Sequence, residues 1–244
     1  MMRLTAPAIV LAVRTHGEHG AVVRLLTADH GLIVAYVRGA RGRLMRPVLI
    51  AGNRVMARLA ARTDQQMPHA EVELTHSLAP LLAEPLAAAA IDWATAVTAT
   101  ALPESQAYPR IHLALDALLS ALEAAPSASG WGSAIVRYEL LLLAELGFGL
   151  DLERCAITGA TDDLVAVSPR SGRAISASQA APYAGKLLPL PAFARAGGEA
   201  TLADILDGLA LTGHFLLRDL ITDRALPVAE ARTRLVERLR RAAG

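Results

Sequence analysis

The apolar residues of this chain change their period near residue 80, and that switch limits the folds open to it. Before it, β-branched and aliphatic runs fall at residues 9–13, 21–26, 32–37, 54–61 and 71–75. Turn chemistry separates them: Gly17–Gly20, Asp29-His30-Gly31, Gly39 to Pro47, Gly52-Asn53 and Pro68. Five short strands in under 80 residues suit a small closed barrel, and the OB-fold is the five-stranded choice. The fourth run has a rival reading. Arg54, Arg58 and Arg62 are spaced i, i+4 as on a helix, but the preceding Gly-Asn and the alternation of Val55, Ala57 and Leu59 favour a strand.

After the switch the period is helical. Residues 84–101 put Leu86, Ala90, Trp93 and Val97 on one face, and residues 111–122 follow with a similar stripe. Residues 127–133 read as a loop whose Ser133 caps a helix over 134–146, apolar almost all round and ended by Gly147. Residues 151–191 break the period, with two short strands expected at 164–167 and 173–175. Helices resume at about 202–209, 214–223 and 227–242. The predicted class is α+β, with a barrel domain over 1–79 and a mostly helical domain over 80–244.

Composition narrows function. At 53% hydrophobic the chain is not of the disordered type, and with 4% aromatic residues extended stacking platforms are not expected. The single cysteine, Cys155, excludes an internal disulfide and any multi-thiolate metal site. The longest uncharged stretch is interrupted by Asp92 and is weak for spanning a bilayer, so no membrane association is expected; the chain reads as a soluble, bacterial-type cytoplasmic protein. Net charge is only +1, yet residues 1–62 hold ten Arg against Glu18 and Asp29, a local balance of +8. Residues 63–100 have five acids and no Lys or Arg. A basic segment inside a neutral protein points to a polyanion partner.

Catalytic motifs are missing. There is no phosphate-binding G-x-x-x-x-G-K-[ST], no G-x-S-x-G and no H-E-x-x-H, and the carboxylates are scattered. His16 and His19 have ligand-like spacing without a third ligand and read as loop histidines. Neither an enzyme activity nor a cofactor is expected. Three basic features remain. The first is the loop Arg38-Gly-Ala-Arg41-Gly-Arg43-Leu-Met-Arg46, four guanidinium groups with no acid between Asp29 and Asp64. The second is the outward face of the fourth strand, Arg54, Arg58 and Arg62, which fits DNA contact and cross-strand pairing with Glu71 and Glu73 equally well. In the third, Arg232, Arg234, Arg238, Arg240 and Arg241, the i, i+4 pairs Glu230–Arg234 and Glu237–Arg241 favour a structural role.

The chain resembles the RecO family of bacterial recombination mediators. The resemblance is carried by Ile9-Val-Leu11, Glu18, Thr27, Gly31 and Arg38-Gly-Ala-Arg41, and above all by the run from Arg137 to Gly159 (RYELLLLAELGFGLDLERCAITG). The run from Val167 to Ile175, Leu187-Leu-Pro-Leu-Pro191 and Leu211-Thr-Gly-His-Phe215 follow in family order. It implies an N-terminal OB-fold, a helical C-terminal domain and, in some relatives, a four-cysteine zinc-ribbon-like insertion. Here Thr158 stands at the C-x-x-C partner position of Cys155, so a degenerate, metal-free insertion over 151–191 is expected. It further implies binding of single- and double-stranded DNA, annealing of complementary strands, and a nucleoid-associated location. The implied partners are RecR, the acidic C-terminal tail of the single-stranded DNA-binding protein and, indirectly, RecA. The arginines assigned to DNA are Arg38, Arg41, Arg43, Arg46, Arg54 and Arg58.

Overall fold

A computed structural model describes residues 2–63, 66–125, 127–221 and 226–243. The chain separates into two compact units, residues 1–123 and 124–244.

The first unit is built on the five expected strands: β1 (Met2–His16), β2 (Gly20–Thr27), β3 (Gly31–Val37), β4 (Arg54–Ala61) and β5 (His69–His76). They close into a barrel of order β1-β2-β3-β5-β4, the α+β arrangement expected of an OB-fold followed by helices. The long β1 makes closure possible. Its first half pairs with β4 (Met2 to Ile9 against Ala61 to Arg54), and its second half pairs with β2 across an irregularity at Leu11. A bulge of this kind bends a strand and increases its twist. β3 and β5 meet in parallel through one residue pair, Tyr36 and His69, so the barrel closes on a narrow seam. Small and branched side chains fill the interior, among them Val10, Val23, Leu25, Ala35, Val55, Ala57 and Val72. The fourth run is a strand: Val55, Ala57 and Leu59 point inward, while Arg58 and Ala60 are exposed. Two helices complete the unit, α1 (Pro85–Ala101) and α2 (Pro109–Ala124). Because α1 packs against β1, Ile9 and Leu11 are buried as well as the inward Ala8 and Val10.

In the second unit α3 spans Ala128–Glu145, starting six residues before the expected position and taking in the stretch expected as a loop. Helix propensity argues against Gly130 and Gly132, but tertiary packing overrides it. Trp131 is fully buried, and a Cβ at Gly132 would come 2.8 Å from Ile205 Cδ1. Strands β6 (Leu164–Val167) and β7 (Ala174–Ser176) form as expected, joined by a short β8 (Leu188–Pro189) in a sheet of order β7-β6-β8. Two single-turn helices, α4 (Ala177–Ala180) and α5 (Phe193–Ala196), flank β8. Helix α6 (Leu202–Phe215) opens with a capping box between Thr201 and Asp204 and runs into a π-turn over Leu216–Leu220. The break expected after residue 209 does not occur, because Thr212 hydrogen-bonds back to the Gly208 carbonyl (3.0 Å) and Gly213 sits beneath Arg232. The end expected at residues 222–223 lies outside the described residues. Helix α7 (Leu226–Ala243) buries Ala231, Leu235 and Leu239, as its period requires, with Val228 half-buried. No helix among the described residues is long and apolar enough to cross a membrane.

Cys155 is 1% exposed and its sulfur accepts hydrogen bonds from Ser176 N and Oγ, both at 3.4 Å. Those bonds from Ser176, with others from Thr158, lower the thiol to about 6, but the sulfur is sealed inside the insertion. Among the described residues no three His, Cys, Asp or Glu side chains gather as metal ligands.

Candidate nucleic-acid interface

The loop between β3 and β4 combines an apolar foot with a charged rim. Ala40 and Leu49 belong to the barrel core, and Met45 and Val48 pack on it, so the segment is anchored at several points. The four arginines of the loop are exposed. Arg41 Nη1 donates to the Glu18 carbonyl (3.2 Å) in the β1–β2 turn, and Arg46 Nε donates to the Arg41 carbonyl (3.0 Å). Both bonds orient a guanidinium without neutralising it. Among the described residues no carboxylate pairs with Arg38, Arg41, Arg43 or Arg46.

Asn53 fixes the far end of this loop, a role its place in a Gly-Asn turn did not reveal. Its side chain is fully buried. Nδ2 donates to the carbonyls of Pro47 (2.9 Å) and Val48 (3.0 Å), and Oδ1 accepts from the Leu78 amide (2.9 Å). Replacing Asn53 by Ala leaves the buried Leu78 amide and two part-buried carbonyls without their partner. An unsatisfied buried polar group costs about 1–3 kcal/mol, so thermal or urea unfolding of N53A should show a loss of at least that size. A loss below about 0.5 kcal/mol would contradict the anchoring role.

The fourth-strand arginines have separate surroundings. Arg54 is largely enclosed, with its side chain 19% exposed. It donates to Asp116 Oδ1 (2.5 Å), the Asp116 carbonyl (3.0 Å) and Ser120 Oγ (2.7 Å), and it lies 3.7 Å from Glu123. It thus clamps β4 to α2. His112 nearby is held below its usual pKa chiefly by burial, with Arg54 adding to the effect against Asp116 and Asp29. Arg58 is exposed, stands opposite Glu71 in the strand register, and lies 3.8 Å from Glu73. Arg62 is exposed beyond the end of β4. Arg24 is likewise engaged by the helical part of its unit, with the Ala99 carbonyl and with Glu104 at 3.6 Å.

Three rings meet on the outer face of the barrel. Tyr36 stands edge-on to His16 (centroids 6.1 Å, planes at 86°) and to His69 (5.5 Å, 84°). His16 ends β1 instead of lying in the loop expected for it, and His19 in the turn lies 3.8 Å from the Glu18 carboxylate.

Of the C-terminal arginines, Arg232 alone is buried. Its Nη2 donates to Glu139 Oε2 (3.0 Å) and the Leu209 carbonyl (2.6 Å), and Thr212 donates to the same carboxylate. Arg232 thus has a structural role of its own, beyond the i, i+4 pairs expected for the row.

A five-stranded OB-fold barrel with a basic, carboxylate-free loop, continuing into a helical body, is the general class this molecule defines. Residues 1–78 match the family profile described as Recombination protein O N terminal, and residues 82–223 match that described as Recombination protein O C terminal. The chain is 47% identical over 95% of its length to the DNA repair protein RecO of Caulobacter sp. (strain K31), of which it covers 95%. It is 46% identical to that of Phenylobacterium zucineum, over 98% of both chains. The corresponding figure for Rhodospirillum centenum is 45%, over 99% of this chain and 96% of the relative. The chain belongs to the RecO family of DNA repair and recombination proteins, and its role lies in DNA repair.

Proposed function

We propose that this protein is a non-catalytic recombination mediator. It binds single- and double-stranded DNA, anneals complementary strands and, with RecR, helps load RecA onto DNA coated by the single-stranded DNA-binding protein. DNA contact is assigned to the barrel domain of residues 1–79, principally to Arg38, Arg41, Arg43 and Arg46. The observation that carries this reading is the anchored loop with four exposed guanidinium groups and no pairing carboxylate among the described residues. Phosphate contacts of this kind are independent of sequence, which a protein acting at arbitrary gaps requires. Arg58 is a weaker contact, its charge offset by Glu73, and Arg54 serves mainly as the clamp to α2.

Docking of the acidic tail is assigned to the second unit, where Leu217, Ala229 and Val236 line a groove edged by Arg232, Arg240 and Glu237. Leu217 is half exposed there, an apolar wall in a groove where Arg240 supplies the cation, Arg232 being already paired with Glu139. That chemistry also supports the adaptor reading, in which tail docking is the main activity and DNA contact incidental.

The two are separated by measuring oligonucleotide binding and annealing of complementary strands across salt concentrations. The mediator is expected to bind single strands with a logarithmic salt slope of about −0.7 per phosphate contacted. It should also accelerate annealing at substoichiometric tail peptide. Tail binding without salt-dependent DNA binding would leave the adaptor reading in its place.

A further inference from the structure

We infer that His16, Tyr36 and His69 form a base-contacting site that lets the barrel distinguish single strands from duplex. The inference rests on the DNA-binding reading above and adds to it a recognition element other than phosphate charge. The rings come from β1, β3 and β5, and their neighbouring centroids are 6.1 and 5.5 Å apart. His16 and His69 are exposed and Tyr36 is half-buried.

Tyr36 is held in place by its surroundings. Its amide donates to the Pro68 carbonyl (2.8 Å), and its ring lies over Gly20 on β2, where any Cβ would collide with the phenol oxygen. The absence of a side chain at Gly20 is what allows the ring to reach across the sheet toward His16. Arg62 lines a shallow pocket with His69 and Ala60, and Arg38 follows Tyr36 by two residues in the chain, just past the end of β3. A strand whose phosphates engage Arg62 therefore brings its bases to the rings.

The ring separations exceed the 3.4 Å rise between stacked nucleotides in a duplex. Bases must be unstacked to meet successive rings, and a duplex offers no free base faces. Stacking on an aromatic side chain tolerates any base, because each has a π face. The narrow β3–β5 seam lies under these rings, so a purely structural role for them is the competing account.

Binding of the full chain to a labelled oligothymidylate, an abasic strand of equal length and a duplex separates the two. The double variant H16A/H69A removes two exposed rings and leaves the core intact. It is expected to weaken oligothymidylate binding at least about fivefold, while the abasic and duplex affinities and the salt slope stay unchanged. Photocrosslinking of the unmodified protein to a 5-iododeoxyuridine strand, mapped by mass spectrometry, should mark peptides bearing these rings. Equal losses on all three ligands, no loss on oligothymidylate, or crosslinks confined to other peptides would each overturn the inference. Wild-type protein that binds thymidylate and abasic strands equally also overturns it, while leaving the phosphate-binding reading intact. A wild-type chain that binds no oligonucleotide overturns both.

Discussion

Changing Arg38, Arg41, Arg43 and Arg46 together to alanine is expected to flatten the salt dependence of single-strand binding by nearly three logarithmic units. Four phosphate contacts at about 0.7 each account for that figure, and near 0.1 M salt it corresponds to a loss of about two to three orders of magnitude in affinity. The fold should hold, because all four side chains are exposed while the loop's apolar residues, Ala40 and Leu49, stay in the core. Arg54 supplies the control. Removing it breaks the clamp to Asp116 and Ser120 and should lower stability with little change in slope. Binding and unfolding measured on both variants therefore separate charge from scaffold. A quadruple variant with the wild-type slope would remove the loop from the interface.

The largest stability effect is expected at Arg232. One guanidinium on α7 meets Glu139 on α3 and Leu209 and Thr212 on α6, joining three helices through a single buried charge pair. Gly213 gives it room, since a Cβ there would collide with Nη1. Replacement by methionine leaves the Glu139 carboxylate buried without its cation. Breaking such a pair costs about 3–5 kcal/mol. Urea unfolding of R232M should show a loss of that order, and the double variant E139Q/R232M should recover a large part of it because the stranded charge is gone. A single variant within about 0.5 kcal/mol of wild type would refute the account. Glu139, Thr212 and Gly213 all lie in the segments that carry the resemblance to the family, so those signatures record how the helices are held together.

The strands were legible because alternation and turn residues agreed, and β4 was decided by the same rule although its arginines are spaced as on a helix. Helices α3 and α6 were misjudged at stretches that contain glycine. Gly132 and Gly213 are places where a neighbouring side chain needs the space. The loop arginines were visible as an unbalanced run of charge, whereas Asn53 was not, because its partners Pro47, Val48 and Leu78 are brought to it only when the barrel closes. The ring cluster escaped for a similar reason. Its members lie on three strands far apart in the chain, and two of them are histidines, which a low aromatic content does not count. Arg232 looked like one cation in a surface row. Its burial depends on Glu139, nearly a hundred residues earlier.

The buried Asn53 amide has a mechanical meaning as well as an energetic one. On the proposed reading, in which the loop holds DNA, any pull on it is received at Pro47 and Val48, whose carbonyls hang from the same side chain that receives the Leu78 amide between β5 and α1. The Asn53 carbonyl is in turn bonded to Val10 of β1 at 2.9 Å. On the same reading, force on the arginines passes to the longest strand of the barrel and to the segment ahead of the first helix, so the long β3–β4 connection, residues 38–53, does not carry it alone.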